Sequence, residues 1–132
     1  MLYIDKLAYL HIKNRLVLMA RSKGNDKFYI PGGKRENGES DEQALMREVK
    51  EELDIDLVRD SIKYIEQFEA QAHRQPEGVK VKMTCYDADY TGVIKASGEI
   101  EEIQWLKHVD RFKCGYVDIV IFDWLKEKNL ID

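Results

Sequence analysis

Several things are scarce in this chain. Of its 132 residues only two are cysteine, Cys85 and Cys114, and they lack metal-ligand spacing. A disulfide framework and a thiolate metal site are both poor fits; two free thiols in a reducing compartment are the expectation. Two prolines and eight glycines exclude a fibrous or low-complexity chain. Long apolar runs are missing: 16–20 and 119–122 are far too short to span a bilayer, so no membrane partner is expected. The opening Met1-Leu2-Tyr3-Ile4-Asp5-Lys6 has no basic region and no apolar core, so no targeting segment is read there and a cytoplasmic protein is expected. A basic excess is missing too. Lys and Arg total 21 against 25 Asp and Glu, a net charge of −4, which argues against long nucleic acid as a partner. The length fits one domain over 1–132, acting as a monomer or homodimer.

What charge there is has an uneven distribution. Residues 36–56 hold nine acids against two bases, Arg47 and Lys50, and so carry −7. The other 111 residues hold 16 acids and 19 bases, or +3. A solvated acidic helix face would explain the cluster. So would a cation site.

Periodicity supplies the elements. Tyr3 to Ile12 and Leu16 to Ala20 read as strands joined by a turn at Asn14, and Phe28-Tyr29-Ile30 as a short strand before Pro31-Gly32-Gly33. Ser40 to Leu53 reads as a helix: Ser40 caps it, Gln43 completes a capping box, and Asp41 and Glu42 suit its dipole. Leu45, Val49 and Leu53 form its buried stripe, with Ala44 and Met46 beside it. Ile62 to His73 and Val79 to Tyr90 read as two long strands, the second alternating in period two. A β-type stretch, Ile103-Gln104-Trp105-Leu106, precedes a closing helix from Val117 to Lys128. That helix gathers Val117, Val120, Ile121, Trp124 and Leu125 on one face. Mixed strands with one helix inserted and one at the end make the class α+β, or α/β with a mixed sheet.

The inserted helix carries the chemistry. Glu48, Glu51 and Glu52 stand at i, i+3 and i+4, which puts three like charges on one face. A hard divalent cation reverses the sign of that repulsion, and Mg²⁺ or Mn²⁺ keeps waters that a phosphate can replace. Arg47 can pair with Glu51 or with a loop acid such as Glu39. Gly32 and Gly33, lacking Cβ atoms, let backbone approach a ligand closely. Lys34 and Arg35 then supply positive charge, either for phosphate or as ordinary surface charge.

These residues resemble a known family. The Nudix box reads G-x5-E-x7-R-E-U-x-E-E-x-G-U, with U a bulky apolar residue. Here Gly33 is followed by Glu39 and then by Arg47-Glu48-Val49-Lys50-Glu51-Glu52-Leu53-Asp54-Ile55, so the box spans 33–55. One consensus position departs: Asp54 stands where the family has Gly. A chance match of this quality is on the order of 10⁻⁵ per chain. The resemblance implies an α+β (α/β/α sandwich) Nudix fold, a mixed sheet flanked by helices. It implies metal-dependent hydrolysis of a nucleoside diphosphate linked to another group, with Mg²⁺ or Mn²⁺ as cofactor and a small nucleotide as partner. Glu51 and Glu52 would be metal ligands, Glu48 the general base or a further ligand, and Arg47 the residue that orients the glutamates. The Gly32 carbonyl could complete the metal shell, and Gly33, Lys34 and Arg35 would meet the substrate. An acid outside the box serves in some members, and Glu102, after Glu99 and Glu101, is the favoured candidate.

The short chain looks like the small MutT-like nucleoside-triphosphate pyrophosphohydrolases. ADP-ribose or sugar nucleotides are the alternative substrates, and a non-catalytic nucleotide-binding module is the alternative function. Phe28 and Trp105 are expected in the core. Tyr3, Tyr9, Phe68 and Tyr86 could line a base pocket, and His73 could touch substrate. At Asp54 a left-handed backbone would cost ~1 kcal/mol relative to Gly, so Asp54→Gly should raise the melting temperature with activity intact. A fall would reveal a specific contact made by Asp54.

Overall fold

Alternation along Leu7-Ala8-Tyr9-Leu10 divides the interior in two. Leu7 and Tyr9 pack with the inserted helix, whereas Ala8 and Leu10 point to the opposite side of the sheet. The computed structural model describes residues 2–132; Met1, at the head of the segment read for a leader, lies outside them. In chain order the elements are β1 (Leu2–Tyr9), β2 (Ile12–Lys13), β3 (Leu16–Ser22), β4 (Gly32–Gly33), α1 (Asp41–Leu53), β5 (Asp56–Leu57), β6 (Lys63–Gln71), β7 (Val79–Asp87), β8 (Tyr90–Thr91), β9 (Ile100–Leu106) and α2 (Tyr116–Glu127). Short 3₁₀ turns occupy Arg59–Ser61 and His108–Lys113.

The main sheet is mixed, in the order β4-β1-β7-β6, with β1 parallel to β7 and the other pairs antiparallel. A second sheet, β2-β3-β9, is antiparallel, and β5 pairs with β8. Helix α1 covers one core with Leu45, Val49 and Leu53 against Leu7, Tyr9 and Leu18. Helix α2 closes the other with Ile121, Phe122 and Leu125 against Met19, Met83 and Cys85. This is the mixed sheet with flanking helices that the Nudix resemblance implied.

Several boundaries differ from the sequence reading. The strand expected over 3–12 breaks at Leu10-His11, because β1 belongs to one sheet and β2 to the other. Phe28-Tyr29-Ile30 is not a strand. Tyr29 bridges Ala20 in the antiparallel sense and Phe28 bridges Cys114 in the parallel sense, so the two contacts cannot extend into one ladder. In α2, Val120 is 41% exposed and Phe122 takes a buried place instead. Val120 lies about 130° round the helix from the centre of the stripe formed by 117, 118, 121, 122 and 125. Cys85 and Cys114 are free and buried, and burial pushes both thiols up, Cys114 to about 12. That leaves them little nucleophilic character.

Both ends of α1 are held firmly. The Gln43 N–H donates to Ser40 Oγ (3.2 Å), and the Ser40 N–H donates to Gln43 Oε1 (2.9 Å). At the other end Asp54 adopts the left-handed conformation (φ 54°, ψ 38°). The loop before β9 satisfies carbonyls of the last turn, through Lys95 N–H to Leu53 O (3.1 Å) and Ser97 N–H to Glu52 O (3.0 Å). The Asp54 carboxylate also meets Lys50 (3.4 Å) and Lys95 (3.3 Å), so it makes the contacts that the simple strain argument left out. Relief of backbone strain and loss of these exposed pairs oppose each other. Asp54→Gly is expected to melt within about 2 °C of wild type in dilute buffer and about 3 °C above it in 1 M salt, where the pairs are screened. A thermal melt at the two salt concentrations checks both values.

Candidate active site

Arg47 ties the loop after β4 to helix α1. Its Nε and Nη2 donate to the two oxygens of Glu39 (2.8 and 2.9 Å), Nη1 donates to Glu48 Oε1 (2.7 Å), and Nη2 also reaches Lys34 O (3.1 Å). Glu36 (3.1 Å) and Glu51 (3.6 Å) complete the ring of acids around it. The Arg47 hydrogen bonds, helped by the Glu36 amide, hold the Glu39 carboxyl down at about 2. The same acids push the guanidinium further up. Two-pronged pairing needs a planar fork, which lysine lacks. Arg47→Lys is therefore expected to lower turnover about 10–100-fold through misoriented glutamates. Single-turnover kinetics on a protein verified as folded by circular dichroism would test this.

Glu52 turns inward. The Gly32 N–H donates to its Oε1 at 3.2 Å. Burial is the main reason that its carboxyl is pushed up to about 8; the Gly32 amide opposes the rise, and the Glu48 and Glu51 charges add to it. Two glycines make the approach possible. A Cβ on Gly33 would lie 2.6 Å from the Glu48 carboxyl, and one on Gly32 (φ 150°) only 2.0 Å from Leu7 O. Glu48 and Glu52 thus stand together against the glycine turn, while the Glu51 side chain is 59% exposed.

Do these donors fit a divalent cation? They are hard carboxylate oxygens, as Mg²⁺ and Mn²⁺ require. A buried acid pushed up beside two further carboxylates is a place where positive charge is lacking, and a cation would supply it. Among the described residues, no three His, Cys, Asp or Glu side chains converge closely enough to hold a metal by themselves.

Other candidates fall elsewhere. Glu102 lies on β9 opposite Arg21, receiving Arg21 Nε at 3.2 Å and Gln104 Nε2 at 2.6 Å. The Gln104 bond, then Arg21, hold it below the usual carboxylate range. Its partners are on its own sheet rather than on α1. Arg35 bridges Asp5 (2.8 Å) and Asp41 (2.6 Å), and Lys34 is exposed. Neither lines the cavity described next.

A cavity of about 410 Å³ is lined by Gly33 and Glu52 and also by Asp118. Its size suits a nucleoside-sized ligand. Tyr29, His73 and Tyr116 form its aromatic rim, with the Tyr29 hydroxyl 2.6 Å from His73 Nδ1 and the His73 ring edge-on to Tyr116 at 5.2 Å. His73 therefore lines the cavity. Tyr3, Tyr9, Phe68 and Tyr86 do not line it. Tyr9 and Phe68 are buried in the two cores, and the Tyr86 hydroxyl donates to Asp41.

Asp118 escaped the sequence reading. It is fully buried; Oδ1 accepts the Ile30 N–H (3.1 Å), and Oδ2 has no hydrogen-bond partner among the described residues. Burial pushes its carboxyl up to about 7 against the pull of the Ile30 amide and Lys6. An available signal was an acid inside the apolar stripe of α2, directly after Val117.

Comparison with known proteins agrees with the fold. The NUDIX domain family matches residues 8–113. Among solved structures, the E. coli ORF135 protein is 23% identical, with a TM-score of 0.72 over 100% of this chain and 96% of its own. The MutT protein from Methanosarcina mazei Go1 is 22% identical, with a TM-score of 0.75 over 97% and 96%. A UDP-X diphosphatase is 14% identical, with a TM-score of 0.67 over 98% of this chain and 64% of its own. No curated protein sequence matches the chain. Among the described residues, no helix is long and apolar enough to cross a membrane.

Proposed function

The chain belongs to the Nudix family and is a phosphoanhydride hydrolase, and from that premise we propose that it is a nucleoside triphosphate pyrophosphohydrolase. The products would be a nucleoside monophosphate and pyrophosphate. The cavity lined by Glu52 of α1 and by the buried Asp118 carries this reading. Its lining combines Glu52 and the glycine turn, suited to a phosphate chain, with apolar side chains such as Ile30, Val81 and Val117, suited to a planar base.

Glu51, Glu52 and the Gly32 carbonyl are the proposed holders of Mg²⁺ or Mn²⁺, with Glu48 as a further ligand or as the base. The bound ion would neutralise the diphosphate and polarise a phosphorus–oxygen bond. Glu48 accepts a proton from the water that attacks phosphorus, and Arg47 holds its carboxylate in the orientation for that transfer. Gly33 lets phosphate oxygens approach the backbone, and the exposed Lys34 beside it in sequence would add positive charge. Arg35 and Glu102 keep their partners outside this set. Asp118 meets the base.

The test is a panel of nucleoside triphosphates, dinucleotides, ADP-ribose and sugar nucleotides, each with Mg²⁺ or Mn²⁺. Pyrophosphate release from a triphosphate, abolished by chelator, is the expected result. Turnover confined to ADP-ribose or sugar nucleotides would replace the substrate, and binding without turnover would point to a non-catalytic module.

A further inference from the structure

The segment that joins β4 to α1 is gripped from two sides. On one side Arg47 takes Lys34 O, Glu36 and Glu39. On the other, Arg35 spans two elements. Its Nη2 donates to Asp5 Oδ2 on β1 (2.8 Å), and its Nη1 donates to Asp41 Oδ1 at the first residue of α1 (2.6 Å). The second Asp41 oxygen, Oδ2, accepts the Tyr86 hydroxyl from β7 (2.6 Å). Tyr86 is itself fixed. It stands opposite Tyr9 in the parallel β1–β7 register, packs against the core under α1, and meets the Tyr64 ring edge-on at 6.0 Å. Asp5, Arg35, Asp41 and Tyr86 thus form a continuous chain from β1 through the loop and the helix start to β7. Both of its ends lie outside 33–55.

Stability alone is a poor account of this chain. The Asp5, Arg35 and Asp41 side chains are a third to a half exposed, and ion pairs so open to water contribute little. Geometry is a better one. A guanidinium on one oxygen and a hydroxyl on the other fix the Asp41 carboxylate in direction as well as distance. Asp41 begins the helix that presents Arg47, Glu48 and Glu52, and Arg35 belongs to the loop that presents Glu39. A small rotation of α1, or a shift of the loop, would part Glu39 from Arg47 and move Glu48 against Gly33, where a Cβ already has no room. We propose that Arg35, Asp41 and Tyr86 are positioning residues for hydrolysis: together they lock the loop and the first turn of α1 onto the sheet, and so keep Glu39, Arg47 and Glu48 in working register. The inference rests on the proposed site, in which Glu48 and its neighbours do the chemistry. A direct phosphate contact is the competing role for Arg35. Its two bonds to acids and its place outside the cavity lining favour the positioning role.

Three variants of the full chain separate the two roles. Tyr86→Phe removes one hydroxyl and keeps the ring, Arg35→Lys keeps the charge and loses the fork, and Arg35→Gln loses both. Melting curves establish that each is folded. The first readout needs no substrate. The Arg47 Nε–H, bonded to Glu39 at 2.8 Å in wild type, is followed by hydrogen exchange in NMR spectra. Tyr86→Phe and Arg35→Lys should each speed that exchange about fivefold or more and weaken the binding of Mn²⁺ alone, by calorimetry, about three- to tenfold. The second readout is turnover of the nucleotide that the panel hydrolyses fastest. In both variants kcat should fall about tenfold with KM within about twofold. The double variant should be no worse than the more impaired single one, because both act through Asp41. Wild-type exchange and Mn²⁺ affinity in Tyr86→Phe and Arg35→Lys overturn the inference, even where the melting temperature falls, since the chain is then structural only. So does a KM that rises in Arg35→Gln and is restored in Arg35→Lys while Tyr86→Phe matches wild type, which would make Arg35 a phosphate contact. In either case the proposed function stands. A panel without turnover overturns the proposed function, and the exchange and Mn²⁺ measurements still decide the positioning.

Discussion

Glu52→Gln is expected to lower metal-dependent turnover by about 10²–10⁴-fold. The side chain keeps its shape and can still accept the Gly32 N–H, so the fold is preserved while the charge is lost. A second readout is independent of turnover. Without metal, burial and the neighbouring carboxylates push Glu52 up to about 8. At pH 7 it therefore carries a proton that a divalent cation must displace. Calorimetry of Mn²⁺ binding in two buffers of different ionisation enthalpy should show proton release in wild type and much less in Glu52→Gln. The same shift predicts that metal-free wild type loses stability as pH rises from about 4.5 to about 8, because the folded state holds the proton more tightly than the unfolded chain. Unchanged turnover on a verified substrate would remove Glu52 from the proposed role.

Asp118→Asn should stabilise the protein and impair it as an enzyme. The folded carboxyl is pushed up to about 7 from an ordinary 3.8, so its burial costs nothing below the lower value and its full amount above the upper. Wild-type stability should therefore fall as pH rises from about 4 to about 7. The asparagine variant lacks that slope, and its advantage should grow from nothing at pH 4 to as much as about 4 kcal/mol at pH 8. Denaturant melts at five or six pH values would trace the difference. A gap that does not change with pH would show that Asp118 is not titrating. Keeping an unpaired acid at this position sacrifices stability, which is the pattern of a residue retained for a ligand. KM for the preferred nucleotide should rise in the variant, because a carboxamide cannot match the charged acceptor.

What was legible in the sequence follows from how local each feature is. Helix α1 was readable in full, from the Ser40 cap and Gln43 box to the Leu53 end, because its signals lie within a few residues of each other. The spacing of Glu39, Arg47, Glu48, Glu51 and Glu52 was readable for the same reason. The 28–30 segment was not, since its apolar composition reports burial, and burial here comes from bridges to two distant strands and turns. In α2 the face was misjudged by one residue: Val120 and Phe122 exchange places once the helix phase is set by the sheet beneath it.

By itself the sequence determined the family motif, the α+β class and the location of the charge. The −7 held within 36–56 is a property of a continuous stretch, so composition and spacing are enough to see it. Only the tertiary structure decided which charges are free to act. It ties Arg35 to Asp5 and Glu102 to Arg21, sinks Glu52 against Gly32, and opens one cavity to Lys6, Tyr29, His73 and Asp118. Those four lie on four separate parts of the chain. Whether such a group is paired, buried or exposed depends on which strands and helices meet there. That is set by long-range packing of the two cores, which no local pattern encodes.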